Sequence, residues 1–224
     1  MSVPAAAAAS PAPPHTNIIG GRNATEPYSF IVALSNSCGG SLVAPQWIVT
    51  ANHCGRASTG RIGSMDSNSG GEVGKIDKVV SKPGTDLAMM RLSKAAHSTP
   101  VKLPQSNPAA GTAVRLLGWG CTSWPACATP HTLQQIDLTV LSSSKCLAGG
   151  GGMGDVCVSG DRTHSACHGD SGGPALVGST GDWTLVGETT GPGDNGGECA
   201  TSTLSTGIAQ HLSWIEQQIG SQRS

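Results

Sequence analysis

The apolar positions of this chain fall in short runs. Residues 29–34, 40–43, 47–50, 75–80, 87–92, 113–119, 133–141, 175–177 and 183–187 are dominated by β-prone and other apolar side chains, with Gly, Pro or Asn breaking the chain between them. Runs of this kind bounded by turn formers predict strands. The polar stretch 56–74 reads as a loop. One segment differs: Ile208, Leu212, Ile215 and Ile219 recur at helical spacing with Trp214 beside them, which predicts a helix packed on the body. The pattern is all-β with one terminal helix, arranged as two small barrels or as a sandwich.

Composition supports this reading and removes several function classes. A chain of 224 residues makes one large domain or two small packed halves. Its 32 glycines and 3% aromatic content fit short strands and turns better than long surface helices. The formal net charge is −1 with no basic or acidic block, so nothing points to nucleic acid or to an anionic membrane surface. No apolar run is long enough to span a bilayer. The eight cysteines include no Cys-x-x-Cys pair at zinc spacing. An even set in a Gly-rich chain fits disulfides and an oxidising compartment better than scattered buried thiols. No metal and no cofactor are expected.

Residues 1–17 are rich in Ala and Pro and poor in large apolar side chains. They resemble the tail of a secretory signal, where small residues precede the cleavage site, but the charged start and apolar middle are missing. The expectation is a leader of residual signal and propeptide, outside the fold, with residues 18–224 forming the domain. A leader with no targeting role is the alternative.

The candidate chemistry centres on His168-Gly169-Asp170-Ser171-Gly172-Gly173-Pro174. Glycines on both sides let the backbone bend sharply around a serine. A hydroxyl is a weak nucleophile and needs a base, and the base needs a partner to orient it. His53 stands at the end of an apolar run beside Cys54. Asp86 leads directly into the apolar run Leu87-Ala88-Met89-Met90. A carboxylate entering a buried strand needs a donor, and a histidine N–H supplies one. His53 as base and Asp86 as orienter complete what Ser171 requires.

These residues stand within a series of motifs: Ile18-Ile19-Gly20-Gly21, Cys38-Gly39-Gly40-Ser41-Leu42, Thr50-Ala51-Asn52-His53-Cys54, Thr85-Asp86-Leu87-Ala88-Met89-Met90, Gly118-Trp119-Gly120 and Cys167 through Pro174. In that order they resemble the chymotrypsin/trypsin family of serine endopeptidases, in a secreted bacterial, actinomycete-like form. Asn52 stands where Ala is usual. The resemblance implies two packed six-stranded antiparallel β-barrels with a C-terminal α-helix and the active site between the barrels. It implies Ser171 as nucleophile, His53 as general base and then acid, Asp86 as its orienter, and the N–H groups of Gly169 and Ser171 as the oxyanion hole. It also implies a zymogen, in which a freed Ile18 amine pairs with Asp170 once the leader is removed. Asn17 precedes Ile18, where trypsin-activated relatives have Lys or Arg. The implied disulfides are Cys38–Cys54, Cys146–Cys157 and Cys167–Cys199; Cys121 and Cys127 remain to close a small loop.

For specificity, the resemblance puts Ser165 at the base of the primary pocket, where trypsins carry Asp, so a preference for basic side chains is not expected. Thr190-Gly191-Pro192 stands where Ser-Trp-Gly is usual, and Pro192 then lacks an N–H that would pair with bound peptide. Thr203 replaces a further pocket glycine and narrows the cavity toward small or medium apolar residues. Glu188 reads as a solvated surface carboxylate, with a place near the pocket as the alternative. His168 borders the pocket, whereas His15, His97, His131, His164 and His211 have no ligand spacing. Asn23-Ala24-Thr25 is a glycosylation acceptor pattern. Protein or peptide substrates and protein inhibitors of proteases are the expected partners, with a secreted, extracellular monomer. Gly169 to Gly173 also satisfies the Gly-x-Ser-x-Gly pattern of α/β-hydrolases. Those need an acid and a histidine after the serine, Asp182 or Asp194 with His211, and alternating helices that this pattern lacks. A catalytically weak or inactive binding module on the same fold is the other rival.

Overall fold

The computed structural model describes residues 18–196, 199 and 201–220; the expected leader lies outside the described residues. After the two-residue strand β1 (Arg22–Asn23), the chain builds a closed barrel from β2 (Ile31–Leu34), β3 (Gly39–Ala44), β4 (Trp47–Thr50), β5 (Thr59–Ile62), β6 (Glu72–Lys82) and β7 (Leu87–Leu92). Their order is β2-β3-β4-β7-β6-β5, and β5 returns to β2 through Val32↔Ile62 and Leu34↔Gly60. A second ring follows: β8 (Ala113–Gly118), β9 (Gln134–Leu141), β10 (Val156–Val158), β11 (Pro174–Ser179), β12 (Asp182–Pro192) and β13 (Thr203–Gly207). It runs β8-β9-β10-β13-β12-β11, the β8–β9 pairing closes it, and β1 attaches to the start of β9. Every pairing between these strands is antiparallel. Two closed six-stranded barrels replace the open choice between barrels and a sandwich, and closure removes the edges a sandwich would expose.

The strands predicted at 47–50 and 87–92 are β4 and β7. All four residues of β4 are buried, and Leu87, Met89, Met90 and Leu92 of β7 are fully enclosed. Within the loop expected over 56–74, residues 59–62 form β5 and 72–74 begin β6, while 56–58 and 63–71 belong to no strand. In β5 only Ile62 is large and apolar. Gly60 faces inward because Val32 and Ile48 fill the space, and a Cβ there would lie 2.8 Å from Val32 Cγ1. The second barrel encloses Val114, Leu116, Ile136, Val140, Val158 and Val186, and Ile18 packs among them. At the C-terminal end, α1 (Leu212–Gly220) begins later than the apolar stripe: Ile208 precedes a 3-10 turn, Ala209–His211. Ile208 and Ile215 join the core of the first barrel, and Lys82 Nζ lies 5.7 Å from the centre of the Trp214 ring. The helix thus straps the end of the second barrel onto the first.

The barrels touch closely at Gly39 and Gly173, where a Cβ on Gly39 would lie 2.8 Å from Gly173 Cα. Away from this contact, Arg115 of β8 bonds Asp137 Oδ1 at 2.6 Å, the Tyr28 hydroxyl at 3.0 Å and Glu26 Oε1 at 3.2 Å. This network ties β8 to the segment leading into the first barrel.

Candidate active site

His53 sits on a single 3-10 turn, Asn52–Cys54, that directly follows β4. The Cys38–Cys54 disulfide ties this turn to the head of β3, and the Cys54 carbonyl accepts from Asn36 Nδ2 at 2.6 Å. Asp86 stands directly before β7, which pairs with β4 through Thr50↔Ala88. The two strands therefore deliver His53 and Asp86 to the same end of the barrel. Asp86 Oδ1 accepts the backbone N–H of His53 at 2.8 Å, and Oδ2 lies 2.8 Å from His53 Nδ1. One carboxylate thus fixes both the backbone and the ring, and Nε2 is left as the ring nitrogen for proton transfer. The hydrogen bond to Asp86 raises the His53 pKa above its ordinary 6.5 despite burial, which acts the other way. From the second barrel, the Thr206 hydroxyl donates to the Asp86 carbonyl at 3.4 Å and lies 2.9 Å from the Thr190 hydroxyl.

Ser171 lies on the turn formed by residues 167–174. Gly39 N–H donates to Ser171 O at 2.8 Å, Gly172 N–H to Thr189 O at 2.8 Å, and Thr189 N–H to Gly173 O at 2.9 Å. The turn is thus clamped by β3 of one barrel and β12 of the other. Gly172 has φ +71°, and a Cβ there would lie 2.6 Å from the Gly39 carbonyl oxygen, so only glycine fits. Among the described residues, the N–H groups of Gly169 and Ser171 donate to no protein acceptor. Asp170 points the other way and is buried. Its oxygens accept Gly120 N–H and Cys167 N–H, each at 2.9 Å, and burial pushes its carboxyl up to about 7.

His53 and Ser171 line one cavity of about 230 Å³, together with His168, Thr190, Gly191 and Pro192. Of the expected pocket residues, Thr190 and Pro192 line this cavity, whereas Ser165 and Thr203 are buried. Ser165 is fully buried and bridged to Ile19, with its N–H donating to Ile19 O at 3.0 Å, and the next residue, Ala166, lines the cavity. Thr203 is 2% exposed and pairs with Pro192; Thr201 and Ser202 line the wall instead. At Thr203 strand register decides this, and one residue of offset reverses which side chain faces the cavity. The reading of Glu188 as a surface group is also overturned, because it is fully buried between the barrels. Among the described residues no carboxylate lines this cavity.

His168 stacks obliquely on Trp124, with ring centres 5.1 Å apart. Neither the position of Trp124 nor the hold of Thr206 on Asp86 has a local sequence signal. Of the remaining histidines, His97 pairs with Glu72 at 3.2 Å and His131 bonds Asn68 at 2.8 Å. The four disulfides are Cys38–Cys54, Cys121–Cys127, Cys146–Cys157 and Cys167–Cys199. The described residues contain no cluster of His, Cys, Asp or Glu able to hold a metal and no helix long and apolar enough to cross a membrane.

Comparison with known proteins agrees with this architecture. Residues 18–215 match the family described as Trypsin. The chain is 34% identical over 166 residues to Trypsin beta of Drosophila erecta, covering 64% of this chain and 65% of that protein. It is 35% identical to Trypsin delta of the same organism, with the same coverage, and 33% identical to Trypsin alpha of Drosophila melanogaster, covering 64% of each. The match therefore spans just under two thirds of these relatives. All three are insect trypsins, which gives the expected actinomycete-like form no support. With two closed barrels, a terminal helix, and a match running from Ile18 to Ile215, the chain belongs to the trypsin family.

Proposed function

We propose that the protein is a serine endopeptidase that cleaves peptide bonds through an acyl-enzyme, with Ser171, His53 and Asp86 as its catalytic residues. The observation that carries this reading is the two-point hold of Asp86 on His53 beside a cavity that Ser171 shares. Ser171 Oγ attacks the substrate carbonyl carbon while its proton passes to His53 Nε2. Asp86 stabilises the resulting imidazolium and keeps the ring in the useful tautomer. The oxyanion is met by the N–H groups of Gly169 and Ser171, and losing one such donor typically costs about 10²–10³ in kcat. His53 then gives its proton to the leaving amine as the C–N bond breaks. Water repeats the sequence in reverse roles and frees the acid product.

Substrate preference follows from the cavity. With no carboxylate on its wall among the described residues, it favours uncharged small or apolar side chains. Pro192 has no N–H, so an extended peptide lying along the end of β12 loses one main-chain hydrogen bond. Activation follows from Asp170. Among the described residues its buried carboxyl has two amide donors and no cation, and removal of residues 1–17 would free an Ile18 amine to pair with it. The protein is in this reading secreted as a zymogen and acts as a monomer on protein or peptide substrates, with protein protease inhibitors as further partners.

Profiling the protein with a free Ile18 terminus on a peptide library tests this. Cleavage after small or apolar residues, abolished in Ser171→Ala, is expected. Strong preference for Arg or Lys would overturn the cavity argument. No cleavage at all would favour a binding module.

A further inference from the structure

Glu188 is a fully buried acid in β12, between Gly187 and Thr189. Neighbours in a strand point to opposite faces. A Cβ on Gly187 would lie 2.9 Å from Ser205 Cβ and 3.7 Å from Ala175 Cβ, and Ala175 belongs to the core of the second barrel. Glu188 therefore points out of that barrel, toward the first. There the Ser41 hydroxyl of β3 meets it, itself fully buried. Among the described residues, neither carboxyl oxygen of Glu188 has a hydrogen-bond partner, and neither does the Ser41 hydroxyl. A buried carboxylate without a cation is strongly disfavoured, whereas the acid form carries an O–H that a serine oxygen accepts.

The two strands that meet at this point are the two that clamp the nucleophile turn. Gly39, at the head of β3, bonds Ser171 O; Thr189, next to Glu188, makes two bonds to the backbone of Gly172 and Gly173. On the same face of the sheet Glu188 pairs with Thr206, which contacts both Thr190 and the Asp86 carbonyl. Glu188 thus stands behind both Ser171 and Asp86 without touching substrate.

We propose that Glu188 is a positioning residue for the nucleophile: its carboxyl group joins Ser41 across the barrel interface and holds β3 and β12 at the spacing that keeps the Ser171 turn in place. The proposal rests on the serine-peptidase reading above. Burial pushes the Glu188 carboxyl well above the usual carboxylate range, with Ser41 offsetting part of that rise. β3, β11 and β13 carry no ionisable side chain, and on β12 the other one is Asp182 at its exposed start. Asp86 lies beyond Thr206, and Asp170 stands on the nucleophile turn. An acid whose folded pKa is raised stabilises the fold at low pH and stops doing so as pH rises through the folded value. The junction therefore opens on the alkaline side.

The test compares wild type, Glu188→Gln, Glu188→Leu and Ser41→Ala, all with a free Ile18 amine. It measures kcat and KM on one peptide substrate, and urea midpoints, from about pH 6 to 10. Glu188→Gln stays uncharged and keeps a donor, so its kcat at pH 7 should lie within about threefold of wild type. The ratio of its kcat to that of wild type, and the difference between their midpoints, should both rise with pH, because every other titration is shared. Glu188→Leu should lower kcat by about tenfold or more with KM within about twofold. Should that variant fail to fold, Ser41→Ala decides, with a lowered kcat and an unchanged KM expected. Wild-type kcat in Glu188→Leu or Ser41→Ala, or a pH-independent ratio for Glu188→Gln, would overturn the proposal. No turnover by the wild type itself would instead sink the peptidase reading, and the urea midpoints would still report the Glu188–Ser41 junction.

Discussion

Asp170→Asn separates the charge of that side chain from its shape. In the uncut chain the Ile18 nitrogen is a peptide amide, so among the described residues the enclosed carboxyl has only Gly120 N–H and Cys167 N–H as partners. Burial raises its pKa from 3.8 to about 7. That is a rise of about three units, and at ~1.4 kcal/mol per unit about 4 kcal/mol of native stability depends on Asp170 keeping its proton. The folded form holds the proton more tightly than the unfolded form. The stabilisation is therefore complete below about pH 4, declines as pH rises, and is gone above about pH 7. The assay is urea unfolding of the uncut chain, wild type against Asp170→Asn, at pH steps from about 4 to 8. The difference between the two should change by about 4 kcal/mol across that window, with wild type losing ground as pH rises. Cutting before Ile18 supplies an ammonium that ordinarily titrates near pH 8, and should cancel most of that loss. Parallel curves for wild type and Asp170→Asn in the uncut chain would refute the reasoning. An unchanged slope after cutting would show that the new amine does not reach Asp170.

Asp86→Asn should lower kcat by about 10⁴, since the amide cannot accept from Nδ1–H while also accepting from the His53 backbone. Activity requires neutral His53, so the acid limb of the wild-type kcat/KM profile should lie above the ordinary value of 6.5, with activity falling as pH drops through it; Asp86→Asn should move that limb down. Arg115→Met leaves Glu26, Tyr28 and Asp137 without their shared cation and should cost about 2–3 kcal/mol in urea unfolding. Gly120→Ala would put a Cβ 2.5 Å from Asp170 Cγ, and the forced shift should lower stability by about 1–3 kcal/mol, read as a fall in the thermal midpoint.

What could be read along the chain divides by the range of the interaction involved. β4 and β7 were legible because all of Trp47–Thr50 and most of Leu87–Leu92 are buried, so a continuous apolar run marks them. β13 was not, because its buried Thr203, Ser205 and Thr206 satisfy their backbones through β10 and β12 and carry no apolar signature. β5 was hidden by Gly60, whose place in the core is decided by Val32 and Ile48 elsewhere in the chain. The same division holds at the site. His53, Asp86 and Ser171 each stand in a local motif. Thr201 and Ser202 line the cavity while Thr203 is buried, because strand register, which no local pattern prints, sets which side chain faces it. Glu188 was misread because a lone carboxylate among polar neighbours looks solvated, and only the packing of two barrels around it makes it buried.

Fluorophosphonate labelling followed by peptide mass analysis tests the catalytic claim most directly, because the reagent reacts with a serine only when a base has activated it. With the Ile18 amine freed, the wild type should take up one label, on Ser171, while His53→Ala under the same conditions takes up none. A properly folded wild type that stays unlabelled, or a His53→Ala protein labelled at the same rate, would contradict the account.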